Sequence, residues 1–137
     1  MPVELNFKIN ISTKDGKSLK KEISGEQAEN FMRKIISDKI DGNLIGFEGY
    51  EFEITGGSDK SGFPMRKGIQ FPRKRVLTSK GVGFCGKKRN KGGKQKGLIK
   101  RRTVCGERIT TQTSQINIKV IKAGAQPLGE APAEEKK

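Results

Sequence analysis

Apolar and polar residues alternate at the start of the chain, and the apolar positions are Val3, Leu5, Phe7, Ile9 and Ile11. A period of two is typical of a strand with one buried face, so the pattern predicts a strand here. Asp15-Gly16 favours a tight turn, and Leu19 and Ile23 then continue the inward face of a returning strand. The chain is therefore predicted to begin with a β-hairpin.

A helical spacing follows the predicted hairpin. Apolar residues recur every three or four positions, at Ala28, Phe31, Met32, Ile35, Ile36 and Ile40. This spacing predicts an amphipathic helix whose apolar stripe packs on the core. Ser24 and Gln27 have the spacing of a capping box at the start of the helix. Asp41-Gly42-Asn43 is expected to end it, because Gly and Asn tolerate a left-handed backbone.

Strand patterns return after this helix. Residues 44–55 predict a strand, with Tyr50, Phe52 and Ile54 on one face and Glu51 and Glu53 on the other. These two glutamates, together with Glu48, are expected to be solvated or to pair with the basic segment defined below. A glycine-rich turn is expected at 56–65, and further strands at 76–78, 103–111 and 115–122.

These elements predict a mainly β fold with one α-helix, built as a small, partly open barrel or as two packed sheets with long basic loops. Residues 1–122 are expected to form one domain, and the Ala/Pro/Gly/Glu/Lys mixture at 123–137 is expected to be a disordered tail. No apolar run resembles a signal peptide or approaches the length of a membrane span. A soluble, intracellular protein is therefore expected.

Charge divides the chain into three parts. Residues 1–59 contain 8 basic and 11 acidic residues, and residues 109–137 contain 4 basic and 3 acidic residues. Residues 60–108, here called the basic segment, contain 17 basic residues and one acid, Glu107, for a net charge of +16. Because such a surplus repels itself unless a polyanion neutralises it, nucleic acid is the expected partner and an anionic membrane surface is the competitor.

The predicted RNA-binding residues are all the cations of this segment: Lys60, Arg66, Lys67, Arg73, Lys74, Arg75, Lys80, Lys87, Lys88, Arg89, Lys91, Lys94, Lys96, Lys100, Arg101, Arg102 and Arg108. Arginine forks suit bidentate contact with phosphate, and lysine supplies a mobile charge. Glycines at 81, 83, 86, 92, 93 and 97 would let the backbone approach phosphates closely. Residues 86–97 contain no apolar side chain and are expected to order only against RNA. Phe63, Phe71 and Phe84 either stack on unpaired bases or anchor the loops to the core.

Catalytic and metal-binding chemistry has few candidates. The chain has no His, and Cys85 and Cys105 stand alone in sequence, so a four-ligand zinc site is not expected. Asp59 and Ser61 could be imagined as an acid and a nucleophile, but side chains of these types also cap backbone amides in turns. We therefore expect no catalytic residue, no metal site and no small-molecule substrate.

One motif resembles a cofactor-binding loop. Residues 81–86 fit the pattern G-x-G-x-x-G, with Glu107 lying 21 positions after the third glycine. Dinucleotide binding needs a helix directly after such a loop. The residues that follow, KKRNKGGKQKG, are rich in glycine and carry no apolar stripe, so no cofactor is expected.

The longest distinctive motif is Ile-Thr-Gly-Gly-Ser-Asp-Lys-Ser-Gly-Phe-Pro-Met at residues 54–65. It closely resembles the signature of the archaeal and eukaryotic small-subunit ribosomal protein family called S-six-e, and the resemblance extends over residues 1–124. It implies that Gly56, Gly57, Asp59, Gly62, Pro64 and Met65 shape a turn that presents the basic loops.

The resemblance also implies a β-barrel-like fold, no catalytic activity, and a cytoplasmic location in the small ribosomal subunit, with small-subunit ribosomal RNA and neighbouring ribosomal proteins as partners. Eukaryotic members end in a long basic helix with phosphorylated serines. This chain has a short Ala/Pro/Glu-rich tail without Ser, which indicates an archaeal form without kinase regulation. A free-standing RNA chaperone or nucleic-acid-binding regulator with the same electrostatics is the alternative.

Overall fold

The computed structural model describes residues 5–87, 96–125 and 128. In chain order its elements are β1 (Asn6–Ser12), β2 (Ser18–Ser24), α1 (Glu26–Glu29), β3 (Lys39–Asp41), a 3-10 helix (Gly42–Ile45), β4 (Glu51–Asp59), β5 (Arg73–Thr78), β6 (Lys100–Cys105) and β7 (Thr113–Lys122). The prediction of a mainly β fold with one α-helix is confirmed. Over the described ranges, no helix has the length and apolar character needed to cross a membrane.

The larger sheet has five strands in the order β2-β1-β7-β4-β3. β1 and β2 form the predicted antiparallel hairpin, and Gly16 provides the left-handed residue of its turn, with φ of 82°. β1 also pairs in parallel with β7, so the first and last described strands lie side by side. β4 then pairs antiparallel with β7, which makes β7 the central strand and places β4 between β7 and the edge strand β3.

The core lies against one face of this sheet. The alternation in the sequence determines which side chains it contains, since successive residues of a strand point to opposite faces. The largest fully buried side chains are Phe7, Phe31, Phe52, Ile9, Ile11, Ile45, Ile54, Ile109, Ile116, Ile118, Val104 and Thr113. Three residues of β1 belong to this set, as its period-two pattern predicts.

Strands β5 and β6 form a separate two-stranded sheet, here called the basic hairpin. The segment 64–66 joins it to the larger sheet through backbone hydrogen bonds. The amide of Met65 donates to the carbonyl of Gly57 in β4 at 2.9 Å, and the amide of Cys105 in β6 donates to the carbonyl of Pro64 at 2.8 Å. The arrangement is thus two sheets joined along one edge, without a closed barrel among the described residues.

The predicted helix over residues 28–40 is wrong in extent. The α-helix covers only Glu26–Glu29, and Gly25 occupies its N-cap position without a side-chain hydrogen bond, so Ser24 and Gln27 form no capping box. Arg33 and Ser37 have φ of 67° and 82°, which a continuous α-helix cannot contain. Ile40 lies in β3, and Asp41-Gly42-Asn43 leads into the 3-10 helix, so it ends no α-helix.

Backbone hydrogen bonds to distant residues replace helical ones in this region. The amides of Arg33 and Ile36 donate to the carbonyls of Ile109 and Glu107 at 3.1 and 3.2 Å, and the amide of Ser37 donates to Ile54 at 2.9 Å. Four of the six apolar residues of the predicted stripe are still directed to the core, because Ala28, Phe31, Ile36 and Ile40 are buried, whereas Met32 and Ile35 are half-buried. The prediction of burial is confirmed for those four residues, whereas the helical geometry assigned to the stripe is not.

Other element boundaries also differ from the predictions. Gly56 to Asp59 belong to β4, so the predicted turn at 56–65 is shortened to the residues after Asp59. Residues 44–45 are 3-10 helix, and β6 begins at Lys100 and ends at Cys105. Most of the predicted tail, and residues 88–95 of the predicted RNA-ordered loop, lie outside the described residues. Leu128 is partly buried and packs against the core.

Two adjacent glycines of β4 provide a test of this packing. A Cβ on Gly57 would collide with the backbone carbonyl oxygen of Gln115 in β7 and would lie 3.2 Å from the sulfur of Met65. We expect Gly57→Ala to lower the free energy of unfolding by about 2 kcal/mol or more, because a backbone atom cannot move aside cheaply. Chemical denaturation monitored by circular dichroism would measure the loss.

Gly56→Ala is the matched control. Among the described residues, no atom lies within 4 Å of the Cβ that this change adds, and the φ of Gly56 is not in the left-handed region. Its effect on the free energy of unfolding should stay within about 0.5 kcal/mol. Equal losses for the two variants would contradict the packing described here.

Candidate nucleic-acid interface

Asp59, at the end of β4, is bound to the basic hairpin by a buried ion pair. Only 1% of its side chain is exposed, and its Oδ2 accepts hydrogen bonds from Nη2 and Nε of Arg73 at 2.6 and 3.0 Å. Its Oδ1 accepts from the amides of Ser61 and Phe63, both at 2.9 Å. The two carboxylate oxygens therefore have different roles, because Oδ1 closes the turn and Oδ2 holds β5.

The environment of Asp59 keeps its carboxyl group ionised. Burial alone would raise the pKa of Asp59, but the hydrogen bonds and charge of Arg73 and the amides of Phe63 and Ser61 outweigh burial and hold that pKa below its ordinary value. Burial raises the pKa of the nearby Cys105 thiol, and the charge of Asp59 raises it further. Cys105 is accordingly an inert core thiol, whereas Cys85 is exposed, and neither forms a disulfide.

The other signature residues surround this pair. The guanidinium carbon of Arg73 lies 4.9 Å from the ring centroid of Phe63, so the ring supports the arginine. Gly62 adopts φ of 85° within the turn, and Met65 is buried against Gly57. The prediction that Asp59 caps turn amides is confirmed, while the link to Arg73 was not predicted.

Among the described residues, almost all the cations of the basic segment have no carboxylate partner. Arg73 is the only one of its described residues within 4.0 Å of a carboxylate oxygen. The described cations without an ion pair are Lys60, Arg66, Lys67, Lys74, Arg75, Lys80, Lys87, Lys96, Lys100, Arg101, Arg102 and Arg108, and all but the half-buried Arg66 and Lys100 are exposed. Lys88, Arg89, Lys91 and Lys94 lie outside the described residues.

Some of these cations contact uncharged groups of the protein. Nη1 of Arg66 donates to Oγ1 of Thr78 at 2.8 Å, and Nζ of Lys67 donates to Oγ of Ser37 at 3.2 Å. The guanidinium of Arg102 lies 5.4 Å from the centroid of Phe84. Such contacts orient a side chain without neutralising it, so these residues keep their full positive charge.

The hairpin register keeps its six cations apart. Arg73, Lys74 and Arg75 form the first half of β5, and Lys100, Arg101 and Arg102 form the first half of β6. Antiparallel pairing sets each of them opposite an uncharged residue, for example Arg101 opposite Leu77 and Arg102 opposite Val76. Because like charges directly opposite one another destabilise a sheet, this register makes a dense cationic surface compatible with a stable hairpin.

Two acids of β4, Glu51 and Glu53, are paired within the larger sheet. Glu53 lies 3.0 Å from Lys119, and Glu51 lies 3.5 Å from Lys122. These lysines belong to β7 and not to the basic segment, so the expectation that the glutamates pair with that segment is wrong. Neither of these two glutamates is therefore available to neutralise the basic hairpin.

Glu107, the one acid of the basic segment, has a role that sequence reasoning missed. Its Oε2 accepts a hydrogen bond from the amide of Gly68 at 2.8 Å, and its own amide donates to the carbonyl of Ile69 at 2.8 Å. The sequence feature that could have revealed this role is that Glu107 is the single acid among 17 basic residues, which suggests a specific contact. It forms no ion pair with any cation of the described ranges.

The glycines of the segment differ in what they do. A Cβ on Gly83 would lie 2.9 Å from Cγ1 of Val104, and one on Gly86 would lie 3.0 Å from the Lys80 side chain, so internal packing explains both. Gly97 has φ of 71° and no described atom within 4 Å of its added Cβ, which leaves room for a phosphate. Gly92 and Gly93 lie outside the described residues.

The loop at 81–86 has a turn geometry. The amide of Gly81 donates to the carbonyl of Phe84 at 3.0 Å, and the amide of Phe84 donates back to Gly81 at 3.2 Å. This closed turn differs from the strand-to-helix loop that holds a pyrophosphate. Within the described part of the chain, no group of three or more Cys, Asp or Glu residues could hold a metal ion.

The pH dependence of stability tests the Asp59 pair. We expect Asp59→Asn to lower the free energy of unfolding by about 1 to 3 kcal/mol at pH 7, because Arg73 loses its charged partner. The folded-state pKa of Asp59 is depressed, so its contribution is present above the ordinary carboxyl pKa of about 4 and is lost as pH falls further. The difference between wild type and variant should therefore shrink in urea denaturation at acidic pH.

Glu22→Gln is the control for this measurement. Glu22 also forms an ion pair, with Lys8 at 3.7 Å, but the two side chains are 78% and 70% exposed. Its loss should change the free energy of unfolding by less than about 1 kcal/mol. A difference between wild type and Asp59→Asn that does not vary with pH would contradict the ionised state assigned to Asp59.

Comparison with known proteins places the chain in a family. The chain matches the family described as "Ribosomal protein S6e" over residues 7–132. It is 41% identical to "Small ribosomal subunit protein eS6" of Methanoculleus marisnigri over 127 residues, which cover 91% of each chain. It is also 41% identical to the protein of the same name from Methanothermobacter thermautotrophicus, over 90% of this chain and 93% of the relative.

A third relative of that name, from Thermoplasma acidophilum, is 40% identical over 85% of this chain and 89% of its own length. All three organisms are archaea, in agreement with the archaeal form that the sequence indicates. Identity at this level over almost the whole length, together with the family match, leads to one conclusion: the chain belongs to the S6e family of ribosomal proteins.

Proposed function

We propose that this protein is a structural component of the small ribosomal subunit and binds ribosomal RNA through the basic hairpin and the loops beside it. The observation that carries the proposal is the cationic surface without carboxylate partners described above. Twelve described cations of the basic segment have no ion pair, and only a polyanion supplies enough negative charge to neutralise such a surface.

The family supports the structural role. Ribosomal protein families are components of the ribosome and not enzymes, so the prediction of a non-catalytic chain is confirmed. The relatives carry a name that assigns them to the small subunit. We extend that assignment to this chain, with the cytoplasmic small subunit as its location and neighbouring ribosomal proteins as its further partners.

Recognition through this surface would depend on the RNA backbone more than on base sequence. Arg75 and Arg101 are exposed arginines of the hairpin, and their planar guanidinium groups suit the oxygens of a phosphate. Contacts to phosphates position a protein on RNA but carry no sequence information. If about 6 to 10 phosphates are neutralised, affinity should fall by roughly three to five powers of ten between about 50 and 200 mM salt.

Replacing two adjacent cations tests this mechanism. We expect Arg101→Ala combined with Arg102→Ala to weaken binding to small-subunit RNA and to unrelated structured RNAs alike. The slope of log affinity against log salt should become shallower by about 1 to 2, because up to two phosphate contacts are lost. Filter binding of the purified protein over a salt series would measure both quantities.

The matched control removes two cations from the five-stranded sheet. Lys8→Ala combined with Lys119→Ala changes the net charge equally, but each lysine pairs with a glutamate of that sheet. This control should leave the salt slope nearly unchanged. If it flattens the slope as much as the arginine variant, total charge and not the hairpin governs binding.

Sedimentation separates the proposal from a free-standing RNA chaperone. A structural component should remain with small subunits when a cell extract is centrifuged through a gradient at moderate salt. A chaperone with the same electrostatics should sediment as free protein, and that result would overturn the ribosomal assignment.

A further inference from the structure

Four large apolar side chains are exposed in the described part of the chain, and all belong to the basic segment: Phe71, Leu77, Val82 and Ile99. The exposed position of Leu77 has a structural explanation, because Leu77 is the uncharged residue opposite Arg101 in the basic hairpin. Phe71 is the one aromatic residue of the four and lies just before β5, outside that ladder. Its side chain is 61% exposed, which internal packing does not explain.

The loop that carries Phe71 is held firmly in place. The amide of Gly68 donates to Oε2 of Glu107 at 2.8 Å, and the amide of Gly106 donates to the carbonyl of Pro72 at 3.0 Å. A Cβ at position 106 would collide with the carbonyl oxygen of Phe71, so glycine there allows the two backbones to meet. Hydrogen bonds on both sides therefore fix the backbone of Phe71 while its ring remains at the surface.

The other two phenylalanines of the segment behave differently. Phe84 is 5% exposed and lies against Arg102, and Phe63 is half-buried against Arg73. Both support a cation of the protein itself. Phe71 has a cation nearby as well, with Nζ of Lys74 at 5.2 Å from its ring centroid, yet most of its surface is open.

We propose that Phe71 is a stacking platform for an unpaired base of the RNA, with Lys74 bound to an adjacent phosphate. This inference rests on the proposed function. The faces of bases in a paired A-form helix are covered by their neighbours, so an exposed ring finds a matching flat surface only on an unstacked base. A rigid backbone reduces the entropy that the ring loses on binding, and the surrounding positive charge favours a nucleotide over an apolar peptide.

Two RNA hairpins with equal numbers of phosphates test the proposal. One is fully paired, and the other contains a bulge of unpaired uridines. We expect Phe71→Ala to weaken binding of the bulged hairpin by about 5- to 100-fold and binding of the paired hairpin by less than about twofold. The salt slope should remain that of the wild type, since no charge is removed.

The chain contains no Trp, so Phe71→Trp introduces a single indole at the position where stacking is proposed. The fluorescence emission of this indole should be quenched by the bulged RNA hairpin much more than by the paired one. The affinity of the Phe71→Trp variant for the bulged RNA should stay close to that of the wild type. Phe71→Leu keeps apolar bulk without a π-face and should behave like Phe71→Ala. Leu77→Trp is the matched control, a similarly exposed position that should respond equally to the two RNAs.

If Phe71→Ala weakens binding of both RNA hairpins equally, or of neither, the stacking role is overturned. Salt-dependent RNA binding by the wild type would in that case still support the proposed function. Absence of any salt-dependent binding by the wild type would overturn both. If Phe71→Ala weakens incorporation into small subunits only when other ribosomal proteins are present, a protein covers the ring and the proposal is wrong.

Discussion

The ion pair between buried Asp59 and Arg73 connects two parts of the molecule that differ in charge. Asp59 ends strand β4, and Arg73 begins the basic hairpin, so their contact fixes where the hairpin leaves the larger sheet. Burial of a carboxylate is costly unless hydrogen bonds and an opposite charge compensate it. Arginine meets this need because two of its nitrogens reach one oxygen while its planar face rests on Phe63. Arg73, which the sequence groups with the predicted RNA-binding cations, is therefore engaged by a carboxylate of the protein itself.

The charged residues of the larger sheet and of the basic hairpin differ in their partners. Glu51 and Glu53 of the larger sheet pair with lysines of β7, and Glu107 binds the backbone amide of Gly68. Within the described part of the chain, the exposed cations of the hairpin other than Arg73 have no carboxylate within ion-pair distance. The positive charge persists as a field at the surface, and neutralising it by a polyanion yields more free energy than neutralising a surface already paired with acids.

Several patterns that depend on neighbouring residues were predicted correctly, although the capping box at Ser24 and Gln27 was not. The alternation of Phe7, Ile9 and Ile11 identifies β1 and its buried face, and Asp15-Gly16 identifies the hairpin turn. The signature turn was also recognised, because an Asp that accepts hydrogen bonds from amides two and four residues later is a local interaction. The apolar content of the core was thus largely available from the sequence.

Contacts between distant residues were not predictable in the same way. The stripe from Ala28 to Ile40 fits a helix, but the amides of Arg33 and Ile36 find acceptors at Ile109 and Glu107, about 70 positions or more away. Periodicity indicates which side chains are buried. It carries no information about which carbonyl groups accept hydrogen bonds from the backbone amides of the same residues. The parallel pairing of β1 with β7 and the choice of Arg73 by Asp59 escaped prediction for the same reason.

The basic hairpin shows that a strongly cationic segment can be folded without acidic partners for most of its cations. Both of its strands begin with three cations and end with three uncharged residues, Arg-Lys-Arg-Val-Leu-Thr in β5 and Lys-Arg-Arg-Thr-Val-Cys in β6. A parallel pairing would set cation beside cation, whereas the antiparallel pairing sets each charged half against an uncharged half. The same block pattern that concentrates positive charge in the hairpin therefore also favours the antiparallel strand direction, because that direction keeps like charges from lying opposite one another.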